Sequence, residues 1–165
     1  MLRATMILSA AIPLAVLAAG SVPAALAGSA GEHAIHTNET LQWTPVGALP
    51  PGAQWSVMAG NPAEPGPFAL RLKFPDGYRV PAHWHSQPET VTVISGSFGL
   101  GMGHSGDRDK TQVLPAGGFA FMPAMQPHYA IANGETVVQV NGTGPFDLNY
   151  VDPSQDPRKQ VGASQ

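Results

Sequence analysis

Residues 77–96 read GYRVPAHWHSQPETVTVISG and carry the strongest structural signal in the chain. His83, Trp84 and His85 are consecutive, so in a strand the two imidazoles point to one face, about 7 Å apart, and Trp84 points to the other. Glu89 has the same parity as the histidines and joins them if the strand continues. Two imidazoles and one carboxylate within seven residues form a ligand set for Zn, Fe, Mn, Ni or Cu. We therefore predict that His83, His85 and Glu89 bind one divalent transition-metal ion.

An H-x-H pair is also compatible with two surface histidines beside a solvated glutamate. The spacing of the neighbouring glycines helps to distinguish this alternative from a metal site. Gly77 precedes His83 by six positions, and Gly96 follows Glu89 by seven. Residues 77–96 thereby match the first cupin motif, G-x5-H-x-H-x3-E-x6-G, at every defined position. The chain resembles the cupin superfamily, in particular small exported bacterial cupin-domain proteins. The resemblance implies an all-β fold, a single double-stranded β-helix or jelly-roll barrel.

The resemblance also implies a second motif, G-x5-P-x-G-x2-H-x3-N, whose histidine is the fourth metal ligand. Gly117, Pro123 and His128 stand at the expected spacing. Met125 replaces the second glycine, and Ala132 stands in the asparagine position. The implied ligand set is therefore His83, His85, Glu89 and His128, with a loop of altered shape before His128.

Short β-rich runs separated by glycine and proline predict a barrel over residues 46–152. A flexible lead-in (residues 28–45) and a polar tail (residues 153–165) flank it. The predicted strands are Trp55–Ala59, Phe68–Phe74, Thr90–Ile94, Phe98–Met102, Gln112–Leu114, Phe119–Phe121, Tyr129–Ala132, Thr136–Asn141 and Asp147–Val151. Alternation in these strands predicts an interior filled by Val91, Val93, Phe119, Phe121, Val138 and Val140.

Residues 1–27 predict a signal peptide. Arg3 supplies the positive charge, residues 6–19 are mostly apolar, and residues 25–27 read Ala-Leu-Ala before Gly28. A retained membrane anchor is the alternative, but the apolar run is short for a bilayer span. We expect an exported bacterial protein, periplasmic or secreted.

Composition excludes several classes of function. The net charge is −3 at pH 7 with no basic cluster, which disfavours nucleic acid and anionic membrane surfaces as partners. No integral membrane domain is expected in the mature chain. The sequence has no cysteine, which excludes disulfides, thiolate catalysis and sulfur-ligated metal.

Other polar residues and methionines are weaker candidates. We expect His33 and His36 to be solvated in the lead-in, and His104, Asp107 and Asp109 to be solvated in a loop. Met102 and Met122 fit core packing, whereas Met125 is near enough to His128 to interest us as a soft donor. The neighbours that could orient the ligands or line a substrate site are Trp84, Gln87, Gln126 and Tyr129.

Function follows from the resemblance only in outline. Three imidazoles and one carboxylate leave two positions on a six-coordinate ion for substrate or dioxygen. Cupins use this arrangement as dioxygenases, isomerases, decarboxylases and oxidases. The resemblance implies an oxygenase- or isomerase-type enzyme for a small polar molecule, with Glu89 as a candidate base, and it also implies a homodimer. A non-catalytic metal- or ligand-binding module and a purely structural barrel stay open as alternatives.

Overall fold

The computed structural model describes residues 33–160, and the signal peptide predicted over residues 1–27 lies outside them. The described residues form eleven strands in two antiparallel sheets. A short helix, α1 (Pro157–Gln160), follows the last strand. The strands are β1 (Thr44–Pro45), β2 (Gln54–Ala59), β3 (Gly66–Phe74), β4 (Arg79–Trp84), β5 (Glu89–Ser95), β6 (Ser97–Met102), β7 (Gln112–Pro115), β8 (Phe119–Met122), β9 (His128–Ala132), β10 (Thr136–Gly144) and β11 (Asn149–Tyr150).

The strand order identifies the fold. One sheet has the order β1-β2-β3-β10-β5-β8, and the other has the order β11-β4-β9-β6-β7. From β3 to β11 the chain changes sheet at every connection except β6 to β7. This repeated crossing produces a jelly-roll barrel, so the predicted all-β fold class is confirmed.

Inward-facing valines of β5 and β10 form part of the barrel core. Val91, Val93, Val138 and Val140 are buried, as predicted. They face one another across β5 and β10, where Val91 pairs with Val140 and Val93 with Val138. Such cross-strand pairs favour strands because branched side chains pack well on a pleated surface.

The predicted burial of Phe119 and Phe121 is wrong, since these side chains are 60% and 58% exposed. β8 is an edge strand, and its register places both phenylalanines opposite the outward-facing threonines of β5. Ala120 and Met122 face inward instead. All four residues of β8 are apolar, so their alternation does not reveal which face is buried.

Two methionines were predicted to pack in the core, and only one does. Met122 is 1% exposed, which confirms its prediction. Met102 is 51% exposed, and its prediction is wrong. It is the last residue of β6, just before the turn at Gly103, so solvent reaches its side chain at the rim of the barrel.

Part of the segment predicted as a lead-in packs on the barrel. Residues 38–40 form a 3-10 turn, Leu41 is buried, and β1 pairs with β2. Farther along, the hydroxyl of Tyr150 donates to the Ala48 carbonyl at 2.7 Å. None of the helices within residues 33–160 has the length and apolar character to cross a membrane.

Candidate metal centre

The four predicted ligands meet at one end of the barrel, between the two sheets. His83 lies in β4 and is the register partner of His128, the first residue of β9. Glu89 begins β5 in the opposite sheet, and His85 follows the last residue of β4. All four side chains are buried, although ionisable groups rarely are unless they are paired or bind an ion.

The condition of a continued strand is not met, and Glu89 reaches the histidines by another route. β4 ends at Trp84, and a bend at residues 86–87 carries the chain into the other sheet. Glu89 therefore faces the histidines across the barrel instead of sharing their strand. Pro88, just before β5, is consistent with this break because proline cannot donate to a strand ladder.

The distances within the cluster suit ligands of one ion. The Oε1 atom of Glu89 lies 3.3 Å from Nε2 of His85 and 3.0 Å from Nε2 of His128. Candidate ligand atoms of all four residues lie within 4.8 Å of one another. Two ligands each about 2.1 Å from an ion and at right angles to each other are about 3 Å apart. The spacing therefore fits a single mononuclear site.

Backbone carbonyls fix the orientation of all three imidazoles. The Nδ1 atoms of His83, His85 and His128 lie 2.7, 2.5 and 3.0 Å from carbonyl oxygens. Those oxygens belong to Pro81, Asp147 and Gln126, respectively. A carbonyl can only accept, so each Nδ1 carries the proton and each Nε2 is directed to the centre of the cluster.

The Nε2 atoms are the donor set that a transition metal prefers. Nε2 of His83 has no hydrogen-bond partner among residues 33–160. Nε2 of His85 and of His128 approaches only the Glu89 carboxylate. Three imidazole nitrogens and one carboxylate oxygen match the ligand chemistry of divalent Fe, Mn, Ni, Cu and Zn. The residues present thus fit a divalent transition ion.

Burial keeps His83 neutral. Desolvation, followed by the charges of His128 and His85, lowers the pKa of His83 to about 3. A neutral imidazole is the form that binds metal. His83 is therefore ready to act as a ligand across the physiological pH range.

Glu89 remains ionised in spite of its burial. Desolvation raises the pKa of Glu89, but hydrogen bonds with His128 and His85 outweigh it and hold that pKa well below its usual range. For His85, burial and the contact with Glu89 shift the pKa in the opposite directions. Burial lowers the pKa of His85, but the hydrogen bond and the charge of Glu89 outweigh it and raise that pKa. The cluster thus pairs a buried carboxylate with imidazole protons, and a metal ion would displace those protons on binding.

Asp147 is a functional residue that the sequence did not reveal. Its carbonyl accepts from His85, and its carboxylate accepts from the Ser86 backbone N–H at 2.7 Å and from the Ser86 hydroxyl at 2.9 Å. Asn149 donates to the other carboxylate oxygen at 2.7 Å. Asp147 lies 62 residues from His85 in the chain, so no local spacing links the two. Its position after the loop at residues 144–146 is the only signal that could have suggested it.

The predicted neighbours of the cluster lie outside it. Gln87 and Gln126 have exposed side chains, although the Gln126 carbonyl anchors His128. The hydroxyl of Tyr129 donates to the Asp107 carbonyl at 2.9 Å, away from the ligands. Trp84 lines a groove on the outer surface. Phe146 provides an aromatic contact instead, because its ring stacks on His85 with centroids 4.3 Å apart.

The weaker candidates form no second metal cluster in the part of the chain that the structure describes. His33 and His104 are exposed. His36 is also exposed, and its Nε2 lies 3.0 Å from the Met58 carbonyl. Met125 is 59% exposed, so its sulfur is not enclosed with the ligands.

Comparison with known proteins agrees with this architecture. The family model for the cupin domain matches residues 70–141. No curated protein matches the chain.

Several solved structures share the fold at low sequence identity. KdgF from Halomonas sp. aligns with a TM-score of 0.54 and 23% identity over 68% of this chain and 94% of its own. An RmlC-like cupin from Shewanella frigidimarina aligns with a TM-score of 0.54 and 19% identity, over 68% and 91%. The polyketide cyclase RemF from Streptomyces resistomycificus aligns with a TM-score of 0.60 and 18% identity, over 79% and 93%. Residues 70–141 of this chain thus match the cupin domain, and the described residues share the fold of these solved structures.

Proposed function

We propose that the chain is a mononuclear metal-binding cupin that performs oxygenase- or isomerase-type chemistry on a small molecule. The buried cluster of His83, His85, Glu89 and His128 is the observation that supports this proposal. An ionised carboxylate inside a barrel is unfavourable unless a positive charge balances it. The three oriented Nε2 atoms and Glu89 together would supply that balance by holding a divalent cation.

The protein residues have distinct parts in this proposal. When bound, a divalent transition ion would supply a Lewis acid with coordination positions left for a substrate. His83, His85 and His128 would hold it, and the carbonyls at their Nδ1 atoms keep the imidazoles oriented. Glu89 is the candidate base, because the other carboxylate at the cavity, Asp147, already accepts from Ser86 and Asn149.

A non-catalytic metal- or ligand-binding module is the second candidate. Outside the cluster, the titratable residues that line the cavity within residues 33–160 are Asp147 and Arg158. Arg158 donates to both carboxylate oxygens of Asp156, at 2.7 and 2.9 Å. No uncommitted acid or base thus faces a ligand besides Glu89, which is compatible with binding alone.

Metal analysis followed by turnover assays separates the two candidates. Protein purified from a bacterial host should contain close to one transition ion per chain. Fe- and Mn-loaded samples are then screened for oxygen consumption, and for isomerisation by proton NMR, with phenols and diketones. Turnover supports the enzyme, whereas a retained ion without turnover supports the binding module. Protein that retains no ion after exposure to Fe, Mn, Zn, Ni and Cu would contradict both.

Export is a separate proposal, supported by the Ala25-Leu26-Ala27 sequence after an apolar run. Mass spectrometry of the protein recovered from the periplasm or medium should find Gly28 at the N-terminus. Replacement of Ala27 by Asp should block cleavage and leave the longer chain in the membrane fraction. A cytosolic chain that still begins at Met1 would contradict export.

A further inference from the structure

The barrel interior contains a cavity of about 340 Å³ that begins at the metal cluster. Small-molecule sites typically have volumes of roughly 300–1,000 Å³. An apolar cavity of about 150 Å³ is enough to hold benzene. The barrel therefore has room for a compact organic molecule of about a dozen non-hydrogen atoms.

The cavity becomes apolar immediately below the cluster. On β5, Val91 follows Glu89 by two residues, which places it about 7 Å deeper along the strand. Val140 lies opposite Val91, and Leu70 lies opposite Val140, so apolar side chains of three adjacent strands form the wall at this depth. The rings of Phe74 and Phe98, farther in, stack with centroids 5.6 Å apart. At this depth the wall is apolar, in contrast to the metal end.

Few other polar side-chain groups face the cavity, and most of them are already engaged. Within residues 33–160 the side chains are those of Trp55, Asn61, Asp147 and Arg158. The Asn61 side-chain oxygen accepts from a backbone N–H at 3.0 Å. Arg158 is paired with Asp156 and also donates to the Leu148 carbonyl at 2.8 Å. Hydroxyl groups on the body of a ligand would lose water and find few partners, which is unfavourable.

Charge determines the kind of head group that suits the metal end. Imidazole binds a metal ion in its neutral form, so the Glu89 carboxylate is the one anionic ligand of this set. A divalent cation held there would leave one positive charge at the end of an apolar cavity. An anionic oxygen donor neutralises that charge in a medium of low dielectric constant, where such pairing is strong.

We propose that the cavity binds an apolar molecule with one ionisable oxygen head, such as a carboxylate, phenolate or enolate. The head lies at the cluster. The hydrocarbon body fills the barrel interior against the inner face of β3, β10 and β5. The position of the head rests on the proposed metal-binding function, whereas the apolar body rests on the cavity alone. The lining thus favours a different substrate class from the small polar molecule expected from the sequence.

Isothermal titration calorimetry with matched probes tests this proposal on the purified chain loaded with Zn. The first probe, 4-tert-butylcyclohexanecarboxylate, has an apolar body. The second probe, quinate, has the same ring, head and number of non-hydrogen atoms but carries four hydroxyl groups. We expect the apolar probe to bind at least about tenfold more tightly, because the three hydroxyl groups of quinate that lie away from its head group find few partners in the apolar cavity. Equal or tighter binding of quinate, or no binding of either probe, would overturn the proposal.

Removal of the metal separates this proposal from the proposed function. After chelation, the apolar probe should bind at least about tenfold more weakly but retain its preference over quinate. Failure of the chain to retain Zn refutes the proposed function. The stripped protein then still tests the apolar body, and loss of the preference there refutes this inference.

A pair of variants on β10 locates the binding site. Val140→Phe fills the cavity and should weaken binding of the apolar probe at least about tenfold while the Zn content is retained. Gln139→Phe is the control, because Gln139 lies on the outer face and hydrogen-bonds to Arg71. Unchanged probe binding in a folded Val140→Phe variant would show that the ligand does not occupy the barrel. The probe series on the unmodified chain remains decisive if Val140→Phe fails to fold.

Discussion

The two motif segments, residues 77–96 and 117–132, deliver ligands to the same site but tolerate sequence change differently. The first segment keeps Gly96 at φ +79°, where an added Cβ would lie 2.3 Å from the Glu135 carbonyl oxygen. The second segment has Met125 at φ +63°, a backbone conformation that glycine adopts most readily. The position of Met125 is exposed, so its side chain meets solvent instead of backbone. The structural surroundings, more than the motif itself, decide which departures are tolerated.

His128 keeps its place in spite of the altered loop because strand pairing positions it. β9 lies between β4 and β6, and His128 pairs with His83 on one side and Met102 on the other. The loop contributes one direct contact to the first segment, a hydrogen bond from the Met125 N–H to the His85 carbonyl at 2.8 Å. We infer that both segments contribute to metal binding even though only one matches its motif completely.

Loss of a ligand from either segment should have the largest effect. His83→Ala and His128→Ala should each weaken metal binding at least about 100-fold, because the loss of a direct ligand exceeds the effect of losing a supporting contact. Metal content after dialysis and competition with a chelating dye measure the change. His104→Ala, at an exposed histidine, is the control. Near-normal affinity in His128→Ala would show that the second segment is dispensable.

Adjacent residues of β8 should differ sharply in their contribution to stability. Met122→Ala should lower the free energy of unfolding by about 3 kcal/mol, because it leaves a cavity in the core. Phe121→Ala should lower it by less than about 1 kcal/mol, since this side chain is mostly exposed. Urea denaturation monitored by circular dichroism measures both values. The reverse order would mean that β8 has the opposite face toward the core.

Substitution of Asp147 tests whether its contacts with the first motif segment support metal binding. Asp147→Ala removes the acceptors that hold Ser86 beside His85 and should weaken metal binding about tenfold. Asp147→Asn keeps one acceptor oxygen and should recover part of the affinity. Asp109→Ala, in an exposed loop, should leave the affinity unchanged. Equal metal affinity in all three variants would show that the Asp147 side chain does not support metal binding.

Met125→Gly should have the smallest effect, and it should be stabilising. A left-handed conformation costs a non-glycine residue about 1–2 kcal/mol, partly offset by the greater freedom of glycine in the unfolded chain. The net gain in the free energy of unfolding should be up to about 1 kcal/mol. Met125→Ala retains the left-handed cost, and an equal gain in that variant would assign the effect to the side chain instead.

The fold and the candidate ligand cluster could be predicted because their signals are local. His83, His85, Glu89 and the flanking glycines lie within twenty residues, and the alternating valines of β5 and β10 identify the core. The remaining features depend on contacts between distant parts of the chain. Asp147 supports His85 across 62 residues, and the uniformly apolar β8 gives no indication of its buried face. The apolar cavity likewise arises from side chains on both sheets, which the motif does not describe.

The most direct test of the metal site is a crystal structure of the Zn-loaded protein, with anomalous diffraction measured on both sides of the Zn absorption edge. We predict one anomalous peak per chain, within coordination distance of Nε2 of His83, His85 and His128 and of a Glu89 carboxylate oxygen. A peak that lacks His128 among its ligands, or the absence of a peak at this end of the barrel, would contradict the account.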